Sequence, residues 1–432
     1  IIYYYEIMTN FKGEKMKIKL YPSYVQGQVD LRGSKSYEHR ALIVAAFLNQ
    51  KSTIYNFDLN DDIKETMNVL SILRTNFHYN YRDKIMEVFP HPLLKRLNED
   101  LEIYESGTTL RMLVPLLCYF YNQVKIKTSN RLLTRIKNTE DPNFLYSYEE
   151  NKITITKNFN NIVRLSDDLT TQYISGFIML QALTSMVKVI IKTTKLNNYN
   201  LMTIDTLNKY GFNLDYVLKE NNIEIVSSKN YNFNYDFYIE KDLSLMGNFL
   251  CMGALNGDLK ITNVNLKSLQ GDLHLIDVLT KMHGNITTGN DFITVSTSSL
   301  VNQTINVTDL IDVAPLIMGI SAVSKGVSMI TGFSKLYNKE VDRLTETINI
   351  LTKLGSSITM KEGKIEIIGK PYLDNVSSIN LPNDHRLIMM VISISSKLRE
   401  PLIIDNVEAL NKSCPDFLQL ISTIGLKYEV IK

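Results

Sequence analysis

Gly33-Ser34-Lys35-Ser36 runs into an apolar stretch over residues 41–48, with Arg40 at the junction. A turn glycine, two hydroxyls and a lysine ahead of a helix gather backbone N–H groups, the positive dipole end and a point charge, which suits a phosphate or carboxylate. Arg40 adds a planar fork that matches either anion. The contiguous Gly-Lys-Ser/Thr of a P-loop is missing. Taken alone, the element reads equally well as an ordinary capped helix. The same grammar recurs along the chain. Glu105-Ser106-Gly107-Thr108-Thr109-Leu110-Arg111 precedes a second apolar helix, and Thr170-Thr171-Gln172 a third. Asn383-Asp384-His385-Arg386 opens a Met-rich one, and Asn411-Lys412-Ser413-Cys414-Pro415 the last. Lys339 and Arg343, four apart, are expected on one helical face, with Glu340 beside Lys339.

Such groups need a scaffold that repeats, and helix ends reveal one. Gly211, Gly284, Gly355 and Gly425 recur at intervals of about 70 residues, most of them followed by strand-like alternation. Glycine there is what a left-handed helix C-terminus requires. Weaker copies end at Ile85-Met86-Glu87-Val88 and Ile153-Thr154-Ile155-Thr156. Six units, each mixing strands with helices and closing in a hairpin, therefore fill the chain, an α/β architecture.

With 432 residues, two or more domains are expected. Hydrophobic and charged contents of 44% and 21% fit a globular protein. A net charge of +2 supplies no overall field for nucleic acid or anionic membrane, so neither is an expected partner. Cys118, Cys251 and Cys414 are too few for a disulfide framework, which suggests a reducing compartment and, by default, the cytoplasm. The six histidines show no metal-ligand spacing, so no metal site is expected. The apolar run over 112–121 is far shorter than a bilayer requires. Lys12, Lys15 and Lys17 interrupt any signal-peptide core, and residues 1–15 are expected to be an extension outside the fold.

Taken in order, these segments resemble the enolpyruvyl transferase family in its 5-enolpyruvylshikimate-3-phosphate synthase branch, from about residue 17 to the C-terminus. The motifs are Gly-Ser-Lys-Ser-x-x-x-Arg at 33–40, Ser-Gly-Thr-x-x-Arg at 106–111, Gln270-Gly271-Asp272, Lys-Glu-x-Asp-Arg at 339–343 and Asp-His-Arg at 384–386. The resemblance implies a two-domain inside-out α/β barrel of six βαβαββ repeats, three per domain. Residues 16–31 and 245–432 would form the domain carrying the catalytic carboxylates. Residues 32–244 would form an inserted domain binding shikimate 3-phosphate, with a hinge near 32 and 244. The implied reaction transfers the enolpyruvyl group of phosphoenolpyruvate to the 5-hydroxyl of shikimate 3-phosphate by addition and elimination. No cofactor is implied. A monomer is expected, and glyphosate, an inhibitor of this family, should compete with phosphoenolpyruvate.

By this resemblance Lys35, Gly107, Arg131, Arg343, Arg386 and Lys412 surround phosphoenolpyruvate, a trianion that suits several cations. Ser36, Arg40, Thr170, Thr171, Gln172 and Tyr199, with Asp312 and Lys339, hold shikimate 3-phosphate. Asp312 is the base at the attacking hydroxyl, and Glu340 is the acid and base at the methylene. Lys35 either shares in proton delivery or stabilises the leaving phosphate. On the residues alone, Asp312 also reads as an N-cap, Lys339 and Glu340 as a solvated helix face, and Arg386 with Asp384 as a structural ion pair. Arg111 reads as structural, and Gln270-Gly271-Asp272 as a turn and cap.

Three positions depart from the family pattern. Glu105 stands where asparagine is common and calls for a cationic partner. Lys335 stands where asparagine often occurs. Leu196 replaces a phosphate-binding serine, so Thr194, Asn197 or Asn198 must compensate, and Leu196→Ser is expected to lower the KM for shikimate 3-phosphate. Two rival readings exist. A sister transferase acting on UDP-N-acetylglucosamine would carry a Pro-Gly-Gly-Cys loop, which this chain lacks. A non-catalytic paralogue that senses an anionic metabolite sits poorly with Lys35, Asp312, Glu340, Arg343 and Arg386 all being present.

Overall fold

The computed structural model describes residues 16–167, 170–228, 230–337, 339–374 and 376–431, so the expected extension over 1–15 lies outside the described residues. The chain divides into two compact units. One comprises residues 32–241 together with Lys267–Gly271; the other comprises the described residues up to 31, 242–266 and those from 272 onward. The chain leaves the 32–241 unit between Lys241 and Asp242, and Lys267–Gly271 groups with that unit as well.

Each unit contains three four-stranded sheets built on one plan. In the sheet of Leu101–Glu102, Gln123–Lys127, Lys152–Lys157 and Phe144–Glu149, the first pair is parallel, with Leu101 opposite Ile126. The others are antiparallel, with Val124 opposite Ile155 and Phe144 opposite Lys157. Gln123–Lys127 alternates exposed and buried residues, so one sheet face meets water and the other the core. The helix leading into the second strand of each sheet is buried nearly all round and sits inside. Lys35–Ala46, Gly107–Tyr121 and Thr171–Thr184 do this in the 32–241 unit, and Leu243–Asn256, Ala314–Ala322 and His385–Ile394 in the other. Helices inside and sheets outside reverse the usual α/β layering. Each unit encloses its own hydrophobic core. Close packing of the central helices needs Gly176, where a Cβ would lie 2.6 Å from the Met112 carbonyl oxygen.

Two expectations change. Gly211, Gly355 and Gly425 take the left-handed conformation at φ +93°, +83° and +88°, but in the repeat that ends at Gly284 the preceding His283, at φ 67°, takes it instead. Gly284 follows in an ordinary conformation, and its missing Cβ avoids the Leu279 carbonyl oxygen at 2.8 Å. The sixth unit also does not close in a hairpin. Its third strand, Tyr428–Ile431, pairs with Lys17–Leu20 from the start of the fold, Ile18 lying opposite Val430. Lys17–Leu20 is flanked on its other side by Leu402–Ile404. No described helix is long and apolar enough to cross a membrane.

Candidate active site

The carboxylates read from the sequence as catalytic, Asp312 and Glu340, lie in the unit that contains residues 242–266. Asp312 occupies a turn before helix Ala314–Ala322, whose N-cap is Val313, so Asp312 is not the cap. Its carboxylate instead accepts from Arg343 Nη1 at 3.1 Å and Lys339 Nζ at 3.3 Å. Arg343 is the first residue of helix Arg343–Lys353, capped by Asp342, whose carboxylate accepts from the Thr345 N–H at 3.0 Å. Lys339 and Glu340 therefore precede the helix in a bend and do not share a helical face with Arg343. The cap was legible as an Asp three residues before a Thr.

Arg343 is 2% exposed and serves three carboxylates: Nε donates to Asp384 at 2.8 Å, Nη1 to Asp312, and Nη2 to Glu340. Burial alone would lower its pKa, but Asp384, Glu340 and Asp312 outweigh that and hold it above the usual arginine value. Lys412 Nζ approaches Glu340 at 3.9 Å from the end of a 3-10 turn, Val407–Lys412, rather than from the opening of the last helix, which is Phe417–Thr423. The structure thus gathers Asp312, Lys339, Glu340, Arg343 and Lys412.

Arg386 sits at the start of helix His385–Ile394, where Asp384 Oδ1 accepts its backbone N–H at 2.8 Å. The Asp384 side chain bonds the Arg343 guanidinium, which answers the ion-pair reading of Arg386 with Asp384. Arg386 Nε is buried with no hydrogen-bond partner among the described residues. Burial pulls its pKa down, and Asp312, Asp242 and Asp272 together raise it further than burial lowers it. Asp272, read from sequence as a turn residue, is 5% exposed and accepts from the Ser244 hydroxyl. Burial foremost, then the Asp312 charge, pushes its carboxyl upward. The sequence offered no sign of its burial beyond its place in the Gln270-Gly271-Asp272 motif.

In the 32–241 unit, helix Lys35–Ala46 starts one residue after Ser34, whose hydroxyl donates to Gln270 Oε1 at 2.9 Å. Lys35 Nζ bonds Asp62 at 2.9 Å. Arg40 lies inside, 1% exposed, and ties three helices together. It donates to the carbonyls of Ser36 at 2.6 Å and Tyr199 at 2.9 Å, and to Thr203 Oγ1 and Ser175 Oγ at 2.9 and 3.3 Å. Burial lowers its pKa to about 10, which leaves it cationic at neutral pH. Asn200 joins the same network by donating to Ser175 Oγ at 3.2 Å, and links it to the Thr171 carbonyl at 2.9 Å. Ser36, Arg40, Thr171 and Tyr199 are therefore gathered, with Arg40 as the strut rather than an open fork. Thr170 precedes helix Thr171–Thr184, and its hydroxyl is buried with no hydrogen-bond partner among the described residues.

Gln172 points elsewhere. It donates to Thr108 Oγ1 at 2.8 Å and accepts from Arg111 Nη1 at 3.0 Å, joining the helix that starts at Gly107. Arg111 also donates to Thr139 Oγ1 at 2.9 Å, in keeping with a structural role. A Cβ on Gly107 would meet Arg111 Nη1 at 2.7 Å and Arg135 Nη2 at 3.0 Å, so Arg135, given no role by the sequence, belongs to this corner. Arg131 Nε donates to Glu105 Oε2 at 2.9 Å, which supplies the cationic partner Glu105 called for. Leu196 is 3% exposed and packed in the core, so no phosphate-binding group can stand there. Asn197 Oδ1 caps helix Asn198–Lys209 by accepting from the Tyr199 N–H at 2.9 Å.

No group of three or more acidic, histidine or cysteine side chains able to hold a metal occurs among the described residues. The arrangement offers Asp312 and Glu340 on one guanidinium, suited to moving protons, and Lys35, Arg131, Lys339 and Arg343 already facing carboxylates, suited to exchanging that partner for an anionic ligand.

Known proteins are similar to this chain in sequence and in fold. The family model described as EPSP synthase (3-phosphoshikimate 1-carboxyvinyltransferase) matches residues 21–421. A 3-phosphoshikimate 1-carboxyvinyltransferase of Clostridium novyi is 30% identical over 427 residues, covering 94% of this chain and 97% of its own. One of Clostridioides difficile is 29% identical with the same coverage. Among solved structures, EPSP synthase from Acinetobacter baumannii superposes with a TM-score of 0.75 at 19% identity, covering 96% of this chain and 100% of its own. The enolpyruvyl transferase NikO from Streptomyces tendae gives 0.72 at 14% identity, covering 97% and 99%. The structural matches establish the two-domain inside-out α/β fold.

Proposed function

Because the chain belongs to the EPSP synthase (3-phosphoshikimate 1-carboxyvinyltransferase) family, it is an enzyme of the shikimate pathway that transfers enolpyruvyl from phosphoenolpyruvate to shikimate 3-phosphate, and we propose that Asp312, Glu340 and Lys35 handle its protons and leaving group. The observation that supports this division is the sharing of Arg343 by Asp312 and Glu340. Held by one buried guanidinium, the two carboxylates keep a fixed separation, which a stepwise proton relay requires.

Asp312 draws the proton from the 5-hydroxyl as its oxygen bonds to the central carbon of phosphoenolpyruvate, and Lys339 stays beside that carboxylate. Glu340 gives a proton to the methylene, which becomes a methyl group in a tetrahedral intermediate. Elimination reverses the second transfer. The methyl returns a proton to Glu340, the carbon–oxygen bond to phosphate breaks, and the hydroxyl proton departs with the phosphate. Lys35 steadies the charge on that phosphate. Arg131, Arg343, Arg386 and Lys412, with the Gly107 backbone, neutralise phosphoenolpyruvate. The orphan hydroxyl of Thr170, with Ser36, Thr171, Gln172 and Tyr199, receives shikimate 3-phosphate, Arg40 holding these groups in place.

We further propose a cytoplasmic monomer, a reading supported by three buried cysteine thiols and by a complete hydrophobic core in each unit. Phosphate release measured with both substrates tests the assignment. Release requires both, and Asp312→Asn abolishes most of it. Binding of shikimate 3-phosphate without turnover would instead identify a sensor.

A further inference from the structure

Ser34 stands just before helix Lys35–Ala46 with extended backbone, at φ −70° and ψ 114°. A serine hydroxyl there ordinarily accepts from an N–H of the first turn, here that of Ser36 or Tyr37. Ser34 makes no such bond. Ser106 and Ser129, each just before another helix, do make it, accepting from the Thr109 and Leu132 N–H groups at 3.2 and 3.1 Å. The buried Ser34 hydroxyl donates instead to Gln270 Oε1 at 2.9 Å, across 236 residues of sequence.

Gln270 is itself fixed as an acceptor. It is 6% exposed, and its Nε2 donates to the Lys241 carbonyl at 2.8 Å and to Ser268 Oγ at 3.2 Å. With the amide nitrogen held there, Oε1 is the atom that faces Ser34, so the hydroxyl has to donate. The backbone of the turn is held separately. The Gly33 N–H donates to Asp58 Oδ2 at 3.0 Å, and the Ser34 N–H to the Glu240 carbonyl at 2.8 Å. What Gln270 governs in this turn is therefore the direction of the Ser34 hydroxyl. All of these residues belong to the 32–241 unit, Lys267–Gly271 included.

We infer that Gln270 is a positioning residue for the helix start that carries Lys35: its amide turns the Ser34 hydroxyl away from the first turn, so that the N–H groups of this turn serve, beside Lys35, the anion bound there. The inference rests on the reading above of Lys35 at the departing phosphate. Without the Gln270 acceptor a buried hydroxyl has to find another partner, and the cap it was kept from making lies next to it. Ser34 then takes an N–H from the anion.

Single- and double-variant kinetics of the full chain test this, with thermal melting to verify folding. Gln270→Met keeps the volume but removes the acceptor, and kcat falls about tenfold. Adding Ser34→Ala removes the misdirected hydroxyl and brings kcat back to within about twofold of Ser34→Ala alone. Gln270→Glu still accepts from Ser34 and keeps more than about a third of wild-type kcat, although its carboxylate opposes the Lys241 carbonyl and lowers the melting temperature. A loss in Gln270→Met that Ser34→Ala does not relieve, or an equal loss in folded Gln270→Glu, overturns the positioning role. So does an unchanged kcat in Gln270→Met. Lys35→Met separates this from the underlying reading: a kcat it leaves unaltered overturns the role of Lys35 at the phosphate, and the positioning with it.

Discussion

Arg343 Nη1 lies 3.1 Å from Asp312 Oδ1, and the same guanidinium holds Asp384 and Glu340. A buried cation shared by three carboxylates is structural and chemical at once. Arg343→Met leaves those carboxylates facing one another, and the unfolding free energy falls by about 3–5 kcal/mol. Denaturant titration measures it. A loss below about 1 kcal/mol would show that Lys339 and Lys412 re-pair the carboxylates.

Glu340 makes a sharper kinetic prediction. Glu340→Gln keeps a group that can hydrogen-bond but cannot donate and reclaim a proton, so kcat falls by about 10²- to 10⁴-fold. Run in heavy water, the wild-type enzyme washes deuterium into the vinyl position, and the variant does so more slowly in proportion. Exchange at the wild-type rate would assign the methylene proton to another group.

Leu196 reverses the expectation drawn from sequence. A leucine 3% exposed within the core cannot become a phosphate ligand by substitution. Leu196→Ser opens a cavity and buries a hydroxyl, costing about 2–5 kcal/mol. The melting temperature drops, and the KM for shikimate 3-phosphate does not improve. A lower KM in a fully stable variant would show that the segment before Tyr199 turns outward on binding.

His39 sets part of the acid sensitivity. Burial holds its imidazole near a pKa of about 3, with Lys35 and Arg40 opposing protonation and Asp62 favouring it. Its Nδ1 hydrogen-bonds Thr66 Oγ1 at 2.9 Å. The unfolded chain takes up a proton below about pH 6.5 that the folded chain refuses until about pH 3. Stability contributed by the neutral ring is therefore present above pH 6.5 and lost as pH falls toward 3. His39→Gln flattens the stability profile across that window. An equally steep decline in the variant would place the sensitivity elsewhere.

Much of this was readable in advance because residue type alone carried the message. Glycines at the helix ends marked the repeats, and Lys35, Asp312, Glu340 and Arg343 announced anion and proton chemistry by identity. What stayed hidden were the partners. Asp62 lies 27 residues from Lys35, and Asp384 lies 41 from Arg343, so their pairing is a product of topology rather than local spacing. Sequence reading foresaw a set of cations. The fold shows several of these cations already matched by carboxylates, and Glu105 alone among those carboxylates had been said to need a cationic partner. Arg40 hid its partners as well: the guanidinium read as a fork for an anion is engaged by Ser36, Tyr199, Thr203 and Ser175. Lys339 was misplaced because four-residue spacing was taken as helix, although Asp342 capped the helix after it.

The strand Lys17–Leu20 has a consequence for biogenesis. It is among the first described segments to leave the ribosome, yet one neighbour is made almost last, as the 2.8 Å bond between Tyr21 and Glu429, 408 residues apart, illustrates. The three sheets of the 32–241 unit have all their strands once Tyr238 emerges and can assemble during translation. The early strand waits, unpaired, until Leu402–Ile404 emerges, and its other edge until Tyr428–Ile431 does. A ribosome that stalls before Tyr428 therefore releases a chain with one finished half and a bare strand edge open to wrong partners.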